Sequence, residues 1–214
     1  MLKVGLLGKM ASGKTELAQY FINTYKAQRV AFADALKADI VQYGLTPDGA
    51  IVKSRDRALL QKYGQLRRGE ILEINMQPFR MLYNVGGHFV MEEIELETKF
   101  TLGVCYANYW VDKAIDKATA LAASSNVMIE DVRRNNEAEA MKKNGFTIFK
   151  VLASDEVRKD RLIKRDGHYH ESSLHDISES EVDYIPYDFG LDNNQDNDNS
   201  KKEMDFWIAT LLKH

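Results

Sequence analysis

Leu2 to Leu7 is a short, nearly continuous apolar run closed by Gly8, the pattern of a strand covered on both faces. Behind it, Leu17, Ala18, Phe21, Ile22 and Tyr25 recur at helical spacing through Lys14 to Tyr25. The alternation then repeats. Arg29 to Phe32 reads as a strand, Ala35 to Tyr43 as a helix, Asn126 to Asp131 as a strand, and Asn135 to Asn144 as a helix closed by Gly145. Phe146 to Leu152 is a fourth strand. Ser154 is placed to cap a helix over Asp155 to Asp166, with Asp155 and Glu156 in its positive first turn. A weaker fifth strand near Tyr184 to Leu191 precedes a last helix over Lys201 to Leu212. Strands separated by helices require right-handed crossovers, so the expected class is α/β: about five parallel strands with helices on both faces.

Two stretches resist this pattern. Pro78 to Val104 carries glycines at 86, 87 and 103 and the alternating run Ile94 to Phe100, which suits a hairpin or an irregular excursion. The tract from Asp192 to Ser200 is polar and low in complexity; its acidity invites calcium, but a solvated connector is the simpler expectation.

Composition narrows the classes. A chain of 214 residues that is 44% hydrophobic and 29% charged is neither collagenous, disordered nor a membrane protein, and it fits one domain. The amino terminus lacks the pattern of a signal peptide, and no apolar run approaches the ~18 residues of a spanning helix. Lys plus Arg number 29 against 32 Asp plus Glu, a net charge of -3, so the overall field will not draw the chain onto nucleic acid. An anionic ligand must be held by a local cluster of cations. The lone cysteine, Cys105, cannot form an internal disulfide or a cysteine zinc cluster, and the expected compartment is the cytoplasm.

The sharpest chemical signal is Gly8-Lys9-Met10-Ala11-Ser12-Gly13-Lys14-Thr15, which matches G-x-x-x-x-G-K-[ST]. It follows an apolar strand and opens an amphipathic helix, the context in which glycine-permitted geometry turns backbone N–H groups and a helix N-terminus toward phosphate oxygens. Lys14 would reach the β- and γ-phosphates of ATP, and the Thr15 hydroxyl would ligate Mg²⁺. Such a P-loop NTPase fold does not by itself name the acceptor. No Asn-Lys-x-Asp guanine-reading motif is present, which argues against a GTPase.

Other residues point to the same sheet edge. Phe32-Ala-Asp34-Ala-Leu-Lys37 sets a carboxylate and a lysine after the second strand, where Asp34 either orients an attacking group or caps the next helix. Val127-Met-Ile-Glu-Asp131 delivers Asp131 as a Walker-B-type residue supporting the Mg²⁺ shell, with Glu130 directed to the opposite face. Arg133 and Glu137 are an i to i+4 pair, either of the site or a surface ion pair. Arg158, Arg161 and Arg165 share one helix face and suit the charge of a transferring phosphoryl group; the alternative is a solvated face paired with Glu156 and Asp160. His168, His170 and His175 fit no fixed metal-ligand spacing and read as part of a mobile cover.

Together with Arg57-Ala-Leu-Leu-Gln61-Lys-Tyr-Gly64-Gln-Leu-Arg67-Arg68, Tyr109-Trp110-Val, and Asp131-Val-Arg133-x-x-x-Glu137, these motifs resemble the deoxynucleoside monophosphate kinases of tailed bacteriophages. The resemblance covers about residues 1 to 191, apart from Pro78 to Val104; Gln65 departs from the small hydroxyl residue the family often has there. It implies a P-loop core over 1–50 and 106–214, an acceptor-binding helical excursion over about 51–105 and a lid over about 158–181. It implies that Arg57, Gln61, Gly64 and Arg68 bind the monophosphate, that Trp110 lies against the acceptor nucleotide unless it is core packing, and that Asp131, Arg133 and Glu137 line the acceptor site. The implied reaction moves the ATP γ-phosphoryl group to a deoxynucleoside monophosphate, in the cytoplasm of a host cell. Family members are often homodimers, but no exposed apolar stripe marks an interface. Two rivals stay open: a kinase of another small acceptor such as dephospho-coenzyme A, with Asp34 as base, and a nucleotide-binding interaction protein without turnover.

Overall fold

The apolar and amphipathic segments condense in the expected alternation. The computed structural model describes residues 1–42, 59–61, 63–65, 67–68, 84–85, 88–89, 107–167, 177–195 and 197–213. Among them the elements run β1 (Lys3–Leu7), α1 (Lys14–Tyr25), β2 (Gln28–Val30), α2 (Phe32–Gln42), β3 (Asn84–Val85), β4 (His88–Phe89) and α3 (Tyr109–Ala122). After them come β5 (Val127–Val132), α4 (Asn135–Lys143), β6 (Thr147–Leu152), α5 (Asp155–Asp166), α6 (Ile177–Tyr184), β7 (Phe189–Asp192) and α7 (Asn197–Leu211). Two compact units result, Met1–Ala31 with Ile115–His214, and Phe32–Ala114.

The first unit holds a five-stranded sheet in the order β2-β5-β1-β6-β7, every neighbouring pair parallel. β1 sits at its centre, which is why its residues are apolar on both faces. Val4 and Leu6 pack with Leu17, Phe21, Met128, Phe149 and Met204, whereas Gly5 meets the side chains of Met141 and Val132. A Cβ on Gly5 would come 2.2 Å from Met141 Cε, so the glycine lets α4 approach the strand. On the α1 and α7 side, Tyr20 and Tyr25 donate to the two oxygens of Asp205 at 2.6 and 2.7 Å.

β1 and β5 are out of step at one point. Gly5 pairs with Ile129 but Leu7 with Val132, so β5 carries one extra residue there, a bulge at Glu130 and Asp131.

Several boundaries move. Phe32 opens α2 instead of ending β2, which puts Asp34 in the first turn of that helix. Tyr184 ends α6, and β7 starts only at Phe189; Pro186 between them has no N–H for a sheet ladder. The expected solvated connector is overturned. Asp192 belongs to β7, Asn193 and Ser200 are buried, and α7 begins at Asn197, four residues ahead of the expected start. Ser200, Met204 and Ile208 are buried at i, i+4 and i+8, so the polar residues extend a helix whose buried face was already set.

In the second unit β3 and β4 form an antiparallel pair, Asn84 with Phe89 and Val85 with His88. The alternating run Ile94 to Phe100, and Arg57, lie outside the described residues, as do Cys105, His168, His170 and His175.

Candidate active site

The loop between β1 and α1 is shaped by close approach. A Cβ on Gly8 would lie 2.9 Å from the Val151 carbonyl oxygen and 2.8 Å from Ser12 Oγ, so only glycine fits beside β6. Ala11 and Gly13 adopt left-handed φ of 59° and 99°. Left-handed residues alternating with ordinary ones turn successive N–H groups into a concave nest, and no side chain caps α1 at Gly13. Lys14 Nζ donates to the carbonyl oxygens of Gly8 and, at 2.8 Å, of Lys9. Ser12 is 1% exposed, and its hydroxyl has no hydrogen-bond partner among the described residues. Residues 11–16 line one side of a cleft of about 630 Å³, and Arg161, Lys164 and Arg165 line the other.

The three arginines of α5 do not act alike. Arg158 is 1% exposed, with Nε donating to the Met10 carbonyl at 2.8 Å and Nη1 bound to Asp155 at 2.7 Å. Arg161 forks across the Ser12 carbonyl at 3.1 Å and the Asn193 carbonyl at 2.8 Å. Arg165 is exposed on the cleft wall beside Lys164. Ser154 caps α5 as expected, its Oγ accepting from the Val157 N–H at 3.3 Å. On the opposite flank of the loop, Lys9 pairs with Asp183 at 2.7 Å, and Lys150 donates to the Asp183 carbonyl at 3.3 Å. Burial and the nearby Lys9 charge hold the Lys150 amine below its ordinary range.

Asp131 and Glu130 part company at the bulge. Glu130 pairs with Arg29 of the neighbouring strand β2, and Asp131 stands at the carboxyl end of β5 beside the strand that leads into the loop. Glu137 is a cap. One carboxylate oxygen accepts the backbone N–H groups of Arg133 at 2.7 Å and Arg134 at 3.0 Å, closing the start of α4. Burial pushes its carboxyl up to about 7; the Asp131 charge adds to this against the pull of the two N–H groups. Among the described residues no three His, Cys, Asp or Glu side chains gather as a metal centre. Thr15 and Asp131 are hard oxygen donors, the set Mg²⁺ takes when phosphate and water complete its shell.

The second unit has its own polar centre. Asp39 is buried on α2 and faces Arg67 at 3.4 Å, Lys113 at 3.5 Å and the Tyr109 hydroxyl at 3.1 Å. Arg67 also bonds the Tyr109 hydroxyl, and its guanidinium lies 4.0 Å from that ring's centre. Trp110 is buried, its indole N–H bound to the Gly64 carbonyl at 3.2 Å and its ring against Tyr63 and Tyr109. The Arg68 guanidinium lies 3.1 Å from where a Gly64 Cβ would stand, and Gln61 is exposed. Asp34 and Lys37 are half-buried on α2.

Two contributors escaped the sequence reading. Asn193 was hidden inside a polar tract and left no signal. Asp39 did leave one: Phe32, Leu36, Asp39 and Ile40 fall on one helical stripe, and a carboxylate in an apolar stripe needs a buried partner.

A glycine-rich loop after β1, the central strand of the parallel sheet β2-β5-β1-β6-β7, decides the architecture. The fold is that of the P-loop kinases. Solved structures that share it include a gluconokinase from Sinorhizobium meliloti 1021, with 12% identity, a TM-score of 0.55, and coverage of 99% of this chain and 94% of that one. A sugar kinase from Janibacter sp. HTCC2649 is 15% identical at a TM-score of 0.55, over 98% and 95% of the two chains. A shikimate kinase from Acinetobacter baumannii, in complex with shikimate, is 10% identical at 0.53, over 100% and 94%. At such identities the likeness is one of fold. No protein-family model and no curated protein matches the chain.

Proposed function

We propose that the chain is an ATP-dependent kinase of a small acceptor, and specifically a deoxynucleoside monophosphate kinase that yields ADP and a deoxynucleoside diphosphate. The observation that carries the kinase reading is the loop from Gly8 to Thr15. Its left-handed Ala11 and Gly13, its folded-back Lys14 and the buried Ser12 hydroxyl, unpartnered among the described residues, are arranged around a cleft with cations on its far wall. ATP phosphates would draw Lys14 Nζ from the loop carbonyls onto the β- and γ-oxygens, and Arg165 would meet the outer phosphate. Thr15 and Asp131 would hold Mg²⁺, which when bound neutralises phosphate charge. The acceptor's 5′-phosphate oxygen attacks the γ-phosphorus as the bond to the β,γ-bridging oxygen breaks and ADP departs. That nucleophile is anionic at neutral pH, so positioning and charge neutralisation suffice without a strong base.

The motif order around Arg57, Gln61, Gly64, Arg68, Arg133 and Glu137 supports the monophosphate acceptor. In this reading Glu137 shapes the site by fixing the N–H groups of Arg133 and Arg134, and Trp110 supports Gly64 from behind. The names of the structural neighbours favour a second reading, a hydroxyl acceptor with Asp34 as base. A coupled ADP-release assay with Mg-ATP against the deoxynucleoside and ribonucleoside monophosphates, gluconate, shikimate and dephospho-coenzyme A separates the two. Stimulation by a deoxynucleoside monophosphate is expected; stimulation by a hydroxyl acceptor alone overturns the specific proposal, and ADP release with none of them overturns the kinase reading.

A further inference from the structure

The peptide unit is planar and trans, so its carbonyl and the N–H of the following residue point in opposite directions. Fixing one therefore aims the other. In the P-loop, the Met10 carbonyl shares its plane with the Ala11 N–H, and the Ser12 carbonyl shares its plane with the Gly13 N–H. Ala11 and Gly13 are the loop's two left-handed residues. Alanine in that region persists only where its surroundings over-determine it. Both carbonyls are held by side chains from distant parts of the chain. Arg158 Nε takes the Met10 oxygen at 2.8 Å. Asn193 Nδ2 takes the Ser12 oxygen at 2.7 Å, joined by Arg161 Nη1 at 3.1 Å.

Asn193 is itself fixed on every polar atom. Ser200 Oγ donates to its Oδ1 at 2.8 Å, Arg161 Nη2 donates to its carbonyl at 2.8 Å, and its N–H donates to the Leu152 carbonyl at 2.8 Å. It is wholly buried, and its carboxamide is the one common side chain of this shape that can donate to the Ser12 carbonyl while accepting from the Ser200 hydroxyl.

We infer that Asn193, with Arg161 and Arg158, is a positioning residue that holds the two peptide planes of the P-loop so that the Ala11 and Gly13 N–H groups face a bound phosphate chain. The inference rests on the reading that this loop binds ATP. It separates Arg161 from a role on the transferring phosphoryl group: a brace governs phosphate affinity, whereas a transition-state contact governs turnover.

The test measures binding of Mg-ATP and of inorganic tripolyphosphate to the full-length chain by titration calorimetry, alongside steady-state kinetics. Asn193→Asp keeps the shape but sets a carboxylate oxygen against the Ser12 carbonyl; Arg161→Lys keeps the charge at the cleft but not the fork. Each is expected to weaken tripolyphosphate and ATP binding about tenfold or more, with kcat at saturating ATP changed less than about threefold. The Asn193→Asp defect should shrink, relative to the unsubstituted chain at the same pH, as acid protonates the new carboxyl and restores a donor. Arg161→Lys carries the test if Asn193→Asp does not fold. Binding within about twofold of the unsubstituted chain in both variants, or a fall in kcat at unchanged affinity, overturns the brace. An unsubstituted chain that binds neither ligand overturns the ATP-binding reading instead.

Discussion

The two units stabilise charge by opposite means. In the first, the loop from Gly8 to Thr15 is built from backbone, and Arg158, Arg161 and Asn193 hold its Met10 and Ser12 carbonyls. In the second, Asp39 is a buried carboxylate that draws Arg67, Lys113 and the Tyr109 hydroxyl around it, and Arg67 Nε and Nη1 are buried without a hydrogen-bond partner among the described residues. The difference separates a binding site from a structural centre. A site for an anion presents donors that a ligand can take over from the loop's own carbonyls, while a buried carboxylate draws its cations from within the protein. Removing a charge should therefore abolish function with little loss of stability in the first unit, and do the reverse in the second.

The largest effect expected from this contrast is at Lys14. Lys14→Ala should lower phosphoryl transfer by at least about 10²-fold, the scale seen when a donor to a developing charge is removed. Its amine donates to carbonyls of its own loop, at Gly8 and Lys9, so the unfolding midpoint should move by a few degrees at most. Full activity in this variant breaks the assignment of the loop; a collapsed midpoint breaks the contrast.

Next in size is the Asp39 centre. Asp39 and Arg67 have side chains 6% and 4% exposed, and truncating one partner leaves the other's charge buried. Asp39→Ala should cost roughly 3–5 kcal/mol of stability by denaturant unfolding, with Asp39→Ala combined with Arg67→Met costing less than the two singles added. Additive losses would mean that the two groups do not act as a pair.

How much of this was legible follows the same division. The strand, loop and helix around Gly8 were readable because motif and periodicity act over short distances, and Ser154 and Gly145 marked helix ends by local chemistry. The Asp192 to Ser200 tract misled because composition reports solubility, not hydrogen bonding: Asn193 is buried by partners at Ser12 and Ser200, the first of them from the far end of the chain. The arginine face of α5 was legible as a face. Which of Arg158, Arg161 and Arg165 would turn to the loop carbonyls depended on how closely α5 lies beside the P-loop, a tertiary distance that spacing does not encode. The bulge at Glu130 and Asp131 was invisible for a related reason, since register belongs to two strands at once.

The smallest effect sharpens the contrast inside the first unit, where Glu137 is a carboxylate held by backbone N–H groups in the way a phosphate would be. Burial with the Asp131 charge lifts it from 4.5 to about 7, against the pull of the two N–H groups and of the Arg134 charge. A carboxyl raised on folding takes up a proton as the chain folds between those values. Stability should then be highest below pH 4.5 as far as this group is concerned, fall as pH rises from 4.5 to 7, and level off above. For a partly exposed group the fall should be about 2 kcal/mol. Glu137→Gln keeps an oxygen for the Arg133 and Arg134 N–H groups but cannot titrate, so the midpoint difference between pH 5 and pH 8 should shrink relative to the unsubstituted chain. An unchanged difference would assign the pH dependence to another group and make Glu137 a cap whose charge the fold tolerates.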